Sequence, residues 1–432
     1  MKNKTLFIII FLLFFPLFLR AEEVTLSLDE AISVALRDNC EVLLSAEELK
    51  KAKEKIAEAY GPLWPSLDFN GGYTRLHGLS EKDIATTTTQ TTFKQIIYQG
   101  GKTINTIKYS KFGLEAAQAV LDKTKLETVL NVKKAYYTLL LSTEFSNLNK
   151  HILDNTKEHL MFLKARYKEG QASQSDILNI EKSLKSVEQA YETSLNQVES
   201  AQVLLKNLLY LDDKVRPKPS IQLHYEPEEV AYDEAFLSAM KNRPEIRQLE
   251  AKANAAKSAI EIAKADGRPT ILASWEYFSR SNSGVIASGG TVTGASSTTS
   301  SKGWNDYSTL GFVFSWPVFD GWVTKAKVEQ AIVDLKQAQL LKEQTARDIA
   351  AELKNAYLSL KNAIAQIRTA ESEIALYQDN LSVVKKQKTS GITSSLDLDD
   401  AELKYRISSF NKKQAAFDYI VAKATFDKAM GG

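Results

Sequence analysis

Residues Ile349 to Val384 read IAAELKNAYLSLKNAIAQIRTAESEIALYQDNLSVV. Within this stretch Ile349, Leu353, Ala356, Leu360, Ala363, Ile367, Ala370, Ile374, Tyr377, Leu381 and Val384 follow one another at steps of four and three without exception. Residues so spaced share one stripe of an α-helix, and a sustained seven-residue repeat implies supercoiled packing against other helices. Ala350, Tyr357 and Ile364 mark a second apolar seam, as a helix with neighbours on two sides requires. That pattern predicts a wall of a helical barrel rather than an isolated coiled-coil rod. An earlier stretch keeps the same rhythm through Ile177, Ile180, Leu184, Val187, Tyr191, Ser194, Val198, Ala201, Leu205 and Leu208.

The helices are long. No proline stands between Gly101 and Pro217, and none follows Gly321. Each stretch is broken only near Gly170 or Gly391. An uninterrupted helix from Lys102 to Glu169 would run about 100 Å at ~1.5 Å per residue. A shorter partner is predicted at about 174–210 in one case and about 394–429 in the other. Each pair then forms a helical hairpin with its tip at the glycine.

The chain is also duplicated. Leu28-Asp29-Glu30-Ala31 matches Tyr232-Asp233-Glu234-Ala235 at a shift of 204 positions, which also brings Glu41-Val42 onto Glu245-Ile246 and Pro65 onto Pro269. Beyond a Ser/Thr/Gly-rich insertion the shift becomes 221. Tyr98-Gln99-Gly100 then meets Phe319-Asp320-Gly321, Ala135-Tyr136 meets Ala356-Tyr357, and Gly170, Asp176 and Glu181 meet Gly391, Asp397 and Glu402. The reading is a signal peptide (1–21), a first repeat (22–215), a linker (216–231) and a second repeat (232–432). Each repeat opens with a helical stretch (about 28–60; about 232–266). A strand pair follows (about 66–98; about 270–319), then a helical hairpin (about 102–210; about 322–429).

The strands alternate with period two. Leu67, Phe69 and Tyr73 lie on one face of the first strand, Phe93 on its return, Ile271, Trp275 and Tyr277 on the third, and Leu310, Phe312, Phe314 and Trp316 on or just after the fourth. An apolar, aromatic face on alternating strands marks lipid-facing positions of a membrane β-barrel. Between the strands, Gly78 with Thr86 to Thr89, and about Ser279 to Gly303, read as solvated low-complexity loops.

The start of the chain reads as a secretory signal peptide: Lys2 and Lys4, the apolar run Leu6 to Leu19, and a small residue at Ala21. Without Lys2, Lys4 and Arg20 the chain holds 52 basic against 53 acidic residues. So balanced a charge argues against nucleic acid as a partner. Cys40, the only cysteine, excludes an intrachain disulfide and is expected to be partly buried and inert. His77, His151, His159 and His224 lack metal-ligand spacing and read as scattered surface residues. No nucleophile motif, metal motif or phosphate loop is present, so no enzyme activity, metal or cofactor is expected.

Taken together, the duplication, the aromatic-x-Gly turns Tyr98-Gln99-Gly100 and Phe319-Asp320-Gly321, and the tips Gly170-Gln171-Ala172-Ser173-Gln174-Ser175-Asp176 and Gly391-Ile392-Thr393-Ser394-Ser395-Leu396-Asp397 resemble the outer membrane efflux protein family, the TolC-like channels. The resemblance covers essentially the whole mature chain. It implies an α+β membrane protein: a homotrimer whose four strands per protomer complete a twelve-stranded barrel in outer-membrane lipid, continued by a helical barrel in the periplasm. The implied function is the exit duct of a tripartite efflux pump or type I secretion system, with a periplasmic adaptor and an inner-membrane pump as partners. The alternative is a structural or adhesive coiled-coil protein of the surface or periplasm. The family pattern implies a pore constriction at Asp397 and Asp400, placed on one helix face by their i, i+3 spacing. An N-terminal helix position explains an aspartate on structural grounds alone, most readily at Asp176. Gly170 and Gly391 form the tip turns. Lys388 is a candidate partner for Asp176, and with Thr393 it stands where relatives carry the residues that lock a closed tip.

Overall fold

The computed structural model describes residues 22–77, 84–212, 214–220, 225–226, 231–283 and 304–432. The expected signal peptide, most of the loop tips, His224 and much of the linker lie outside those residues.

The first repeat runs β1 (Glu22–Leu26), α1 (Leu28–Asp38), α2 (Cys40–Tyr60), β2 (Ser66–Leu76), β3 (Ile84–Gln99), α3 (Lys102–Lys168) and α4 (Gln174–Leu209). After β4 (Val215–Pro219) the second runs α5 (Tyr232–Asn242), α6 (Pro244–Ala265), β5 (Thr270–Ser283), β6 (Trp304–Ser315), α7 (Val323–Thr389) and α8 (Ser395–Met430). The two long helices α3 and α7 have 67 residues each, about 100 Å at ~1.5 Å per residue. No described helix is long and apolar enough to cross a membrane.

The seam on α7 forms one of two buried cores, the other lying in the first repeat around Val132, Tyr136 and Leu205. Ile349, Leu353, Ala356, Leu360, Ala363, Ile367 and Ala370 are all buried, each Leu or Ile contributing about 1.5–3 kcal/mol. Ala350, Tyr357 and Ile364 on the second seam are half-buried. Toward the tip Ile374, Leu381 and Val384 are half-buried and Tyr377 is exposed. Side by side, α2, α3, α6 and α7 form one layer in that order. Beyond the ends of α2 and α6, α4 packs on α3 and α8 on α7, and α8 also packs on α3, joining the two hairpins.

Local chemistry refines several expectations. Each opening helical stretch is two helices, divided at Asn39 and at Arg243, positions related by the same 204-residue shift. Asn39 takes extended backbone angles and its side chain accepts from the amides of Glu41 and Val42 to start α2. Thr86 to Thr89, read as loop, belong to β3, and Ser279 to Ser283 belong to β5. Threonine is β-branched and fits a paired strand, so composition misled there. The return strand β6 starts and ends earlier than expected. The linker is not wholly irregular: Val215–Pro219 pairs in parallel with β1. The buried Tyr136 hydroxyl ties that pair down, donating to the Leu26 carbonyl (2.9 Å) and accepting from the Ser220 amide (3.2 Å). Cys40 is exposed rather than partly buried, because it occupies the outward first position of α2.

Two charged nodes tie the helices together, one across the repeats and one within the second repeat. At the junction with the sheet, Asp266 at the end of α6 accepts from Lys102 at the start of α3 (2.8 Å) and from Lys327 near the start of α7 (2.9 Å). Near the end of α8, the buried Arg243 donates to Glu245 (3.0 Å), Glu352 (2.8 Å) and the Ala429 carbonyl (3.2 Å). Lys428 reaches the other oxygen of Glu352 (3.0 Å).

Removing Arg243 strands acceptors on three elements, the Ala429 carbonyl and the part-buried carboxylates of Glu245 and Glu352. Arg243→Ala is therefore expected to lower unfolding stability by about 3 kcal/mol, read by chemical denaturation of detergent-purified protein. The hydrogen bonds from Lys102 and Lys327 hold the Asp266 carboxyl below its usual value. Its contribution is full above the ordinary carboxylate pKa of about 3.9 and is lost as pH falls through the lowered one. Asp266→Asn should flatten the acid limb of the stability profile and leave the limb above neutrality unchanged.

Candidate functional site: the hairpin tips and the apolar sheet face

Both hairpins turn by the same device. Gly170 and Gly391 have φ of +74° and +72°, a region glycine enters without steric cost. Their amides donate to Tyr167 and Lys388 carbonyls, and the next amides, Gln171 and Ile392, donate to Arg166 and Gln387 (2.9 Å each). These bonds satisfy the last carbonyls of α3 and α7. A capping box then opens each following helix. Asp176 accepts from the Ser173 hydroxyl (2.7 Å) while its amide donates back to Ser173, and Asp397 does the same with Ser394 (2.7 Å). The serine hydroxyl, then the serine amide, hold both carboxyls below their usual range. An ion pair closes each hairpin a few turns on: Lys164–Glu181 (2.9 Å) and Lys385–Glu402 (3.3 Å). Both members are related by the 221-residue shift, so this pair was legible in the aligned copies although the sequence reading passed over it.

The predicted tip residues have these places. The Asp176 carboxylate is engaged by Ser173, not by Lys388, which stands at the end of the other hairpin. Asp397 and Asp400 lie one turn apart on α8. Asp397 is exposed and uses only its Oδ2 oxygen in the box. Asp400 keeps a half-exposed carboxylate whose Oδ1 lies 3.7 Å from Nε2 of His159 on α3. His159 is thus no scattered surface residue: its ring is 19% exposed, enclosed where α8 crosses α3. Asp399 turns into a separate groove between α3 and α8, with His151, Glu158, Glu402 and Arg406.

The His159 contact is the last of a stripe binding α8 to α3. Lys413–Glu144 (2.7 Å), Phe410 against Phe145 (centroids 5.3 Å apart) and Arg406–His151 (3.4 Å) precede it toward the tip. Each member lies in a different repeat, so no local spacing in the sequence announces the stripe.

At the other end, β2-β3-β5-β6 form one antiparallel sheet with β2 and β6 as its edges. Its register gathers the predicted apolar positions on one face. Leu67, Phe93, Trp275 and Leu310 form a single row across all four strands. Phe69 and Tyr277 share the next row toward the loops, and Tyr73 a later one. Phe312 lies one row nearer the helices. A bulge between Ile96 and Tyr98 then sets Tyr98, Ile271 and Phe314 in one row, so the pattern survives. Trp316 follows just past the end of β6. All are exposed on this chain except Ile271, which is half-buried. The opposite face carries Asp68, Gln90, Lys94, Glu276 and Arg280 among others. From Trp304 to Trp316 is about 40 Å of extended chain at ~3.3 Å per residue. A tilt of about 40° reduces that to about 30 Å, close to a membrane barrel's apolar band with its aromatic girdles.

A sheet apolar on one face and polar on the other, continued by two hairpins of long helices, defines a subunit of an outer-membrane channel. The chain belongs to the outer membrane efflux protein family, whose sequence profile matches twice, at residues 31–209 and 237–432, one match in each repeat. Outer membrane protein TolC of Escherichia coli strain K12 is 22% identical over 418 residues, covering 91% of this chain and 80% of that protein. Among solved structures, the Campylobacter jejuni CmeC outer membrane channel shares the fold with a TM-score of 0.75 at 17% identity, covering 94% of this chain and 85% of the other. The open state of the Neisseria gonorrhoeae MtrE outer membrane channel does so at 0.73 and 19%, covering 94% and 89%. The protein is therefore a transport protein of the cell outer membrane, in a family of channels rather than enzymes.

No atom lies within 4 Å of where a Cβ on Gly391 would stand, so only backbone strain opposes a side chain there. Gly391→Ala should destabilise the second tip by about 1 kcal/mol, seen as faster amide exchange confined to the ends of α7 and α8.

Proposed function

We propose that this chain is one protomer of a homotrimeric exit duct, passively conducting substrates from a periplasmic adaptor and inner-membrane pump to the exterior. The observation that carries this reading is the open sheet. Four strands with an apolar face end in two unpaired edges, β2 and β6. In hydrocarbon an unpaired strand edge costs several kcal/mol for each unsatisfied group, so such a sheet must close. Pairing β6 of one protomer with β2 of the next closes it under rotational symmetry. Three copies supply twelve strands, the number that the family resemblance implies. The exposed apolar residues Leu43 and Leu44 on α2, Leu204 on α4, and Leu340 and Leu358 on α7 are then covered by neighbouring protomers, and the outward sheet face by lipid.

Control of such a duct falls at the periplasmic tips. Asp397 and Asp400 keep exposed carboxylate oxygen there, and threefold symmetry sets six carboxylates around one axis. A ring of that charge favours cations over anions. The stripe from α8 to α3, ending at His159 and Asp400, is what holds the second hairpin against the first.

Two measurements test this reading. Detergent extraction of the outer-membrane fraction should yield a heat-modifiable trimer; recovery as a soluble dimer would favour a coiled-coil structural or adhesion protein instead. In planar bilayers the double charge reversal Asp397→Lys with Asp400→Lys should shift ion preference from cations toward anions while the trimer still assembles. An unchanged preference would exclude these residues from the constriction.

A further inference from the structure

Two aromatic rings stand together on the polar face of the sheet. Phe278 on β5 and Tyr307 on β6 are register partners, with ring centroids 5.0 Å apart and planes inclined by 34°. They share a row with Gln90 and Asn70. The rows on either side hold only polar residues and glycine. The row nearer the helices is acidic, with Asp68 on β2 and Glu276 on β5, and Gln90 approaches Glu276 at 3.5 Å. Arg280 lies one row toward the loops. Successive rows are about 6.7 Å apart along a strand.

With the Leu67–Phe93–Trp275–Leu310 face in lipid, these rings face the water-filled bore. Tyr307 remains 58% exposed there. A cross-strand aromatic pair strengthens any sheet, but on the aqueous face it also leaves flat π surface in water beside the Glu276 carboxylate. That surface suits one class of solute. A planar aromatic ring stacks on the pair, and a positive charge on it is drawn to the ring faces and to Glu276.

We propose that Phe278 and Tyr307, with Glu276 one row away on β5, form a stacking site for planar aromatic cations in the bore of the barrel. The site rests on the duct reading above, which places three copies of it at one level. It lies outside the tip constriction, so a solute reaches it from the exterior without passing the gate.

The test is a fluorescence titration of the detergent-purified trimer with ethidium, a planar aromatic cation. Binding should be saturable and undisturbed by an equal concentration of tetraethylammonium, which has the charge but no ring. Phe278→Leu with Tyr307→Leu should weaken it at least about tenfold, the scale of a lost aromatic stack. Tyr307→Phe should leave it within about twofold. If the double variant does not assemble, Tyr307→Leu alone removes the more exposed ring and should weaken binding several-fold. Wild-type affinity in an assembled leucine variant would overturn the proposal, as would equal binding of the planar anion naphthalenesulfonate. A trimer that binds no ethidium overturns this inference alone; a wild-type chain that forms no trimer removes the duct reading with it.

Discussion

A backbone amide or carbonyl in hydrocarbon must find its partner within protein, and this chain cannot meet that demand alone. Its four-stranded sheet has paired interiors and two bare edges. Those edges are ordinary hydrogen-bonding groups in water and a penalty of several kcal/mol each in lipid. The requirement explains more than assembly. A closed barrel shared between copies gives each protomer only a segment of its wall, so the helices below must also be wall segments. A helix in a wall has a neighbour on each side, which is the two-seam pattern of Ile349–Ala370 and Ala350–Ile364.

Wall helices about 100 Å long need their ends held, and the charged nodes do this economically. Asp266 gathers the starts of α3 and α7 beneath the sheet, so the two repeats enter the helical region from one point. Arg243 fastens the end of α8 to α7 and α6. The fastening reaches the far end only through packing. At the tips the core has thinned to half-buried residues, and what joins the hairpins is a stripe of single polar and aromatic contacts. Burial on α7 is therefore deepest at mid-length, from Ile349 to Ala370, and thins toward the tip.

Much of this was legible in the residues because it was written twice. The seven-residue rhythm located α7 and α4, and the 221-residue shift aligned Gly170 with Gly391 and Asp176 with Asp397. Alternation alone sorted Leu67, Trp275 and Leu310 onto one face, and the register then joined them in a row. Composition was a poorer guide. Thr86 to Thr89 read as solvated loop, yet threonine pairs well in a strand whose far face meets water. The pairing of β1 with β4 escaped notice because a five-residue edge strand bearing two prolines carries little period-two signal. His159 could not have been linked to Asp400 by spacing: their meeting depends on where α8 crosses α3, which is a tertiary fact. Position at a helix start is by itself a structural reason for an aspartate at each tip. The boxes with Ser173 and Ser394 give that structural reading substance without removing the exposed oxygens of Asp397.

The differences between the copies then become informative. A duplicated unit placed in a threefold ring yields six similar hairpins, which by themselves would make a nearly sixfold tunnel with no reason for one set to move. The copies differ at many positions, and one difference bears on the tip. Asp400 stands where the first copy has Asn179, and it is Asp400 that meets His159. The second copy thus adds a carboxylate at the place where α8 meets the first repeat. The fold of both hairpins is otherwise the same, a helix of 67 residues followed by one of 36. The same asymmetry appears in the sheet, where the second copy alone supplies Phe278, Arg280 and Tyr307 to the polar face. Chemistry in this duct is concentrated in the second repeat, and the first supplies the frame that it works against.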